Sequence, residues 1–120
     1  ALRDLALAYS ARGVDDSKAF DITVKARQAY PEDAEVAKTF GILNFKRGLF
    51  PQSAELLNQA AASRRNDADV QLYLGKSYQQ LKRWDECKSA LERALALNLP
   101  AASRADAQTQ LANCTEQAAQ

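Results

Sequence analysis

Residues 34–67 read AEVAKTFGILNFKRGLFPQSAELLNQAAASRRND, and residues 68–101 read ADVQLYLGKSYQQLKRWDECKSALERALALNLPA. Laid over each other, 34 residues apart, their small and apolar positions coincide: Val36 with Val70, Phe40 with Leu74, Gly41 with Gly75, Phe50 with Trp84, Leu57 with Leu91 and Ala60 with Ala94. A fixed period of this length predicts units stacked in a row, each burying its apolar face on its neighbour, rather than a globule with one centre.

Within each copy the apolar spacing is helical. Val36, Ala37, Phe40, Gly41, Ile42 and Leu43 give a wide face on a helix over 34–47. Gly48 is a stop signal, and Pro51 opens the next helix, where its missing N–H is harmless. That helix carries Ala54, Leu56, Leu57, Ala60 and Ala61 and ends near Arg64; Asn66-Asp67 then offers turn and N-cap chemistry. The pattern returns over 69–81 and 85–97, with Lys82-Arg83 in the turn and Pro100 breaking the chain. The N-terminal third is a looser copy. Leu2, Leu5, Ala6 and Tyr9 mark one helix, ended at Gly13 by a turn one residue longer than its counterpart, and Ala19, Ile22, Thr23, Ala26 and Ala29 mark the next. A last helix is expected over about 103–118, with Ala107, Leu111, Ala112 and Cys114 as its apolar stripe, giving seven in all.

These residues resemble the tetratricopeptide repeat, W-x2-L-G-x2-Y followed by A-x3-F, A and P. Leu74-Gly75-Lys76-Ser77-Tyr78, Cys87, Leu91, Ala94 and Pro100 follow it most closely. Phe40-Gly41-Ile42-Leu43-Asn44 with Ser53, Leu57 and Ala60 follows next, then Leu5-Ala6-Leu7-Ala8-Tyr9 with Ala19, Thr23, Ala26 and Pro31. Gln71 and Ala37 replace the motif's Trp, and Asn44 its Tyr. The resemblance implies an all-α, right-handed superhelical array of three helix-turn-helix units (about 1–33, 34–67 and 68–101) plus a C-terminal capping helix. Small residues at Ala6, Gly41 and Gly75 would let paired helices approach, facing Ala19, Ser53 and Cys87, while Phe50 and Trp84 would fill the space between units.

Composition narrows the function. Lys plus Arg is 16 and Asp plus Glu is 15, a net charge of +1, which argues against nucleic acid or an anionic membrane as partner. No apolar run approaches the roughly 20 residues of a membrane span. No signal peptide is evident, and the absence of Met predicts a fragment or a processed chain. With no His and no Gly-rich phosphate loop, neither catalysis, nor a metal, nor a cofactor, nor a small-molecule ligand is expected. Asp15-Asp16, Glu32-Asp33 and Asp85-Glu86 read as helix-start acids opposing the dipole, and Arg64-Arg65 and Lys82-Arg83 as helix-end cations. Cys87 and Cys114 read first as two small buried thiols; the alternative is a bridge between them, which requires an oxidising compartment.

By the resemblance, the first helix of each unit lines a concave groove. Arg3, Leu7 and Ser10 fall there, then Glu35, Lys38, Thr39, Ile42, Phe45 and Lys46, then Asp69, Leu72, Tyr73, Lys76, Gln79 and Gln80. Leu7, Ile42, Phe45, Leu72 and Tyr73 make an apolar strip flanked by Lys38, Lys46 and Lys76, the pattern of a protein- or peptide-binding surface. For Ile42 and Leu72, packing between helices is an equally open reading. One subfamily grips chaperone-tail carboxylates with Lys, Asn and Arg side chains; here those positions hold Arg3, Leu7, Thr39, Asp69 and Tyr73, and Asp69 would repel a carboxylate. The expected role is a protein-interaction scaffold, and the alternative a structural spacer or regulatory segment of a longer array.

Overall fold

A computed structural model describes residues 3–4 and 16–120. Leu7, the remaining expected first-helix positions 2, 5, 6, 9 and 10, and the turn after Gly13 lie outside them. Six helices follow: α1 (Asp16–Ala29), α2 (Ala34–Lys46), α3 (Phe50–Ser63), α4 (Ala68–Gln80), α5 (Trp84–Ala96) and α6 (Ala101–Ala118). The described residues contain no strand. The last helix begins two residues before the expected 103, directly after Pro100, whose fixed φ is compatible with a helix start.

The helix ends obey local chemistry. Asp33 Oδ1 accepts from the N–H groups of Glu35 (2.9 Å) and Val36 (3.1 Å), and Asp67 Oδ1 from those of Asp69 (3.1 Å) and Val70 (3.2 Å). Each satisfies donors a helix start leaves open. At the C-terminus of α2, Gly48 takes φ 78°, the Leu49 N–H donates to Asn44 O and the Gly48 N–H to Phe45 O, closing a Schellman turn. Thirty-four residues on, Lys82 takes φ 60° with the same two bonds, Arg83 to Tyr78 and Lys82 to Gln79.

Each helix packs on its chain neighbour, and α2 also touches α4, as α4 touches α6. The backbones of the alternate helices α1, α3 and α5 do not approach one another, and α1 reaches α3 only through side chains such as Arg27 and Gln59. The stack is therefore closed on the α2–α4–α6 side and splayed on the other, a curved block of 46 × 26 × 25 Å. Its core runs along the seam between the layers, with Leu57, Val70, Leu74, Leu91 and Ala94 essentially without solvent contact. A Cβ built on Gly41 would lie 2.7 Å from Leu57 Cγ, and one on Gly75 2.7 Å from Leu91 Cγ, so both helix pairs cross where only glycine fits.

Two readings change. Cys87 and Cys114 are not separate thiols but a disulfide, both fully buried and with Cα atoms 6.3 Å apart. The bridge links α5 to α6 across a sequence separation of 27 that carries no signal of its own. On α6 Ala107 and Cys114 are buried and Leu111 is partly buried against the core, at i, i+7 and i+4, and Ala112 faces solvent.

Candidate functional site

The closed layer carries the candidate residues. On α2, Lys38, Ile42 and Phe45 stand at i, i+4 and i+7, one face of a helix; on α4, Leu72, Tyr73, Lys76 and Gln79 fall on the adjoining turns. The Phe45 and Tyr73 rings meet edge to face, centroids 5.4 Å apart, and Phe45 meets Phe50 of α3 in the same way. Such edge-to-face pairs place a positive ring edge on a negative face. Lys76 Nζ lies 5.4 Å from the Phe45 centroid and 5.3 Å from that of Tyr73, in cation–π range of both. Phe45, Tyr73 and Ile42 are half-buried, with Tyr73 and Ile42 packed against the core. Leu72 is different: at 4% exposure it belongs to the core cluster and offers the groove nothing. Turned by one residue from Tyr73, its side chain points about 100° away, into the seam.

Of the flanking cations, Lys38 and Lys76 are engaged inside the molecule, as is Arg3. Arg3 Nε lies 2.5 Å from Asp33 Oδ2, Lys38 Nζ 2.8 Å from Asp67 Oδ2, and Lys76 Nζ 2.8 Å from Asp106 Oδ2. Asp69 Oδ2 is 4.0 Å from Lys38 as well. Burial alone would raise the Asp67 carboxyl, yet the Lys38 ammonium and the Val70 and Asp69 N–H groups outweigh it and hold the group below the ordinary range. Asp33 is lowered against the same opposing desolvation, by Arg3 and its capped N–H groups. Asp106 is lowered chiefly by the hydrogen bond from Lys76. Gln79 Nε2 donates to Gln110 Oε1 (2.7 Å) and Asn113 Oδ1 (3.0 Å), stitching α4 to α6.

The layer thus joins successive inner helices by one cation–carboxylate rung each, with an aromatic pair between α2 and α4. Sequence reasoning did not select Asp106, Gln110 or Asn113. The signal that could have found Asp106 is the recurrence of cation and aspartate 29 to 30 residues apart at Arg3/Asp33, Lys38/Asp67 and Lys76/Asp106. No group of three or more potential metal ligands occurs among the described residues, and no described helix is long and apolar enough to cross a membrane. The layer presents a shaped surface of rings, amides and paired charges.

No protein-family model matches the sequence, and no curated protein matches it. Solved structures do. The chain superposes on the first TPR of Spaghetti (RPAP3) bound to the HSP90 peptide SRMEEVD with a TM-score of 0.81 and 21% identity, over 99% of this chain and 91% of that one. PcrH, known from Pseudomonas aeruginosa, in complex with the chaperone binding region of PopD gives 0.78 and 22%, over 97% and 90%. A point variant of MamA gives 0.84 and 21%, over 98% of this chain and 66% of that one. At these identities the likeness is one of fold.

Proposed function

We propose that this chain, which has the tetratricopeptide-repeat fold, is a protein-interaction scaffold and not a catalyst. Its units run over 1–33, 34–67 and 68–101, with α6 as the cap. A partner peptide lies along the α2–α4–α6 layer, against Phe45, Tyr73 and Ile42. The observation that carries this reading is the half-buried Phe45–Tyr73 pair on the inner layer: two large, rigid rings, each still partly exposed, give contact area at low entropic cost. Support also comes from two proteins of similar fold, one bound to an HSP90 peptide and one to a segment of PopD. Leu7 would extend the strip at its N-terminal end. Lys38, Lys76 and Gln79 serve here as the walls of the groove rather than as free charges, because each already has an internal partner. An acidic flank on the partner would meet Lys46 more readily. Nucleic acid is not the partner, since a net charge of +1 gives no electrostatic hold on phosphate.

The test is capture of partners with Phe45→Ala/Tyr73→Ala beside the unmodified chain. The double variant should keep its helical circular dichroism and bind at least ~2 kcal/mol more weakly if both rings are hot spots. Unchanged binding by a folded double variant would remove the groove from the account. The second reading, a spacer within a longer array, is favoured by one observation: the Lys38–Asp67 and Lys76–Asp106 rungs and the Gln79 amide spend the layer's polar groups on holding successive helices together.

A further inference from the structure

The splayed layer carries a second feature, independent of the groove. Between α3 and α5 lies a cleft of about 400 Å³. Asn58, Ala61 and Ala62 line it from α3, Gln71 from α4, and two arginines complete it: Arg93 on α5 and Arg65 just past the end of α3. No acidic side chain lines it. Among the described residues, Arg65 alone of the arginines has no hydrogen bond, ion pair or ring contact for its side chain. Arg93 makes no ion pair: its Nε donates to Gln71 Oε1 at 2.9 Å, and its two terminal nitrogens have no acceptor among the described residues. Gln71 is 3% exposed and Arg93 is exposed. A buried amide thus anchors the guanidinium by its inner edge and leaves the outer fork open to solvent.

The nearby acids are committed elsewhere. Asp67 and Asp69, next to Arg65 in sequence, face Lys38 at 2.8 and 4.0 Å. Glu86 is held by Arg83 at 2.7 and 2.8 Å. Asp85 stands eight residues before Arg93, about 12 Å along α5, and Glu92 is turned about 100° from it around the helix. The preceding interval, by contrast, is spanned from within the chain. Arg27 of α1 donates to Gln59 Oε1 of α3 (2.5 Å) and to Pro31 O (2.6 Å). Thirty-four residues on, Ala61 replaces Arg27 and Arg93 replaces Gln59. Alanine has no reach, and among the described residues no hydrogen bond or ion pair joins α3 to α5: Asn58 turns to Tyr78 Oη (2.6 Å) and Arg93 to Gln71, both on α4.

We propose that the α3–α5 cleft binds a glutamate side chain of a protein partner, its carboxylate held between Arg65 and Arg93. The guanidinium fork matches a planar carboxylate with paired N–H donors, and the methylenes of glutamate lie along the alanine wall. The surrounding surface calls for a length of polypeptide rather than a small ion. Asn58 also lines a cleft of about 460 Å³ toward Pro51 and Leu81, and Arg93 one of about 250 Å³ beside Tyr78, so the furrow continues past the arginines. Glu55 and Asp85 line those continuations, toward the N-terminal ends of α3 and α5, and repel acids there. The partner's carboxylate is therefore placed at the arginine end.

The experiment titrates the 120-residue chain with acetyl-Ala-Glu-Ala-amide and separately with acetyl-Ala-Gln-Ala-amide, followed by the arginine Nε–H signals in ¹⁵N–¹H correlation spectra. The glutamate peptide should give saturable shifts at Arg65 and Arg93 that weaken with added salt, and the glutamine peptide should bind at least about threefold more weakly. Arg65→Gln and Arg93→Gln should each lower the affinity about two- to fivefold, read at the remaining arginine and at the Ala61 and Ala62 amides. Ala61→Glu supplies a carboxylate from α3 and should abolish the response. If that variant does not fold, the two glutamine variants, both at exposed positions, carry the test. Phe45→Ala/Tyr73→Ala should leave the arginine shifts in place, which separates failure of this site from failure of the groove. Equal affinities for the two peptides, no saturable shift, or shifts that survive both glutamine substitutions would each overturn the site. Inorganic phosphate binding at Arg65 and Arg93 where the glutamate peptide does not would overturn the assignment to a carboxylate.

Discussion

The α2–α3 and α4–α5 pairs share a register but are tied to the next helix by different chemistry. In the first pair, Ser53 Oγ donates to Gly41 O at 2.7 Å and lies 3.0 Å from Ser77 Oγ on α4. In the second, the equivalent residue is Cys87, bonded covalently to Cys114 on α6. The turns differ in the same manner, Gly48 against Lys82, both with positive φ. So do buried positions farther along the pairs, Asn44 with Leu56 against Tyr78 with Ala90. The lesson is that the period fixes backbone path and close approach, while the side chains that connect one pair to the next are free to change chemistry.

The largest expected effect tests what the pairs have in common. A Cβ on Gly75 would meet Leu91 Cγ and Cδ2 at 2.7 Å and the Leu91 backbone N at 3.3 Å; on Gly41 it would meet Leu57 Cγ and Cδ2 at 2.7 and 2.9 Å and Leu56 Cβ at 3.4 Å. Leu57 and Leu91 are fully buried and have no room to retreat. Gly75→Leu and Gly41→Leu should both exceed the ~1–3 kcal/mol typical of overpacking and leave little cooperative unfolding in urea. Gly75→Ala should cost more than Gly41→Ala, because backbone as well as side chain stands in its way. Equal midpoints for the two alanine variants would show that the backbone contact at Gly75 is immaterial.

Next comes the difference in connection. The Cys87–Cys114 bridge closes a loop with a sequence separation of 27, for which chain entropy gives about 3–4 kcal/mol. Cys87→Ser with Cys114→Ser should lose that amount, whereas Ser53→Ala should lose about 1 kcal/mol, the worth of a net hydrogen bond. Reductant should lower the urea midpoint of the unmodified chain and leave that of the double serine variant in place. A midpoint indifferent to reductant would mean the bridge adds no stability.

This contrast also separates what the sequence made legible from what it did not. Glycines at 41 and 75, the Gly48 stop, Pro51 and the Asp67 cap are local signals, each acting within a turn or on one facing helix, and they placed the helices and the stacked fold. The face containing Phe45, Tyr73 and Lys76 came from the family resemblance, which implies that the first helix of each unit lines the groove. The disulfide, the burial of Leu72 and the Asp106 partner of Lys76 depend on how far one helix is rotated and shifted against the next. That relation is set by packing over tens of residues. The resemblance therefore presented Lys38 and Lys76 as charges flanking a groove, whereas each is already paired with an aspartate.

The turns give a smaller test, of opposite sign in the two pairs. Left-handed backbone costs a residue with a Cβ roughly 1–2 kcal/mol relative to glycine. Lys82 is exposed at φ 60°, so Lys82→Gly should stabilise the chain by about 1 kcal/mol, and Gly48→Ala should destabilise it by a similar amount. Thermal unfolding would read both. A loss of stability in Lys82→Gly would indicate that the lysine side chain contributes something the turn geometry does not reveal.

The smallest effect concerns the rungs. Asp67 and Asp106 both have folded pKa values below the 3.8 of a free aspartate. A carboxyl lowered in this way stabilises the fold at pH above its unfolded value, and that contribution is lost as pH falls through the folded value. Both rungs should therefore contribute steadily at neutral pH and fade below about pH 4. Asp67 is the better shielded of the two, with 16% of its side chain exposed against 36% for Asp106, so Asp67→Asn should flatten the acid limb more than Asp106→Asn. At pH 7 each should cost less than about 1 kcal/mol, since partly exposed pairs are screened. Asparagine keeps a neutral acceptor for the α4 cap, so the Asp67→Asn loss reports what the carboxylate's charge contributes toward Lys38, Arg64 and the cap N–H groups together. Urea midpoints measured across the acid range would settle the order. If Asp106→Asn flattened the limb more, the α4–α6 contact rather than the α2–α4 contact would be the electrostatically dominant joint of the inner layer.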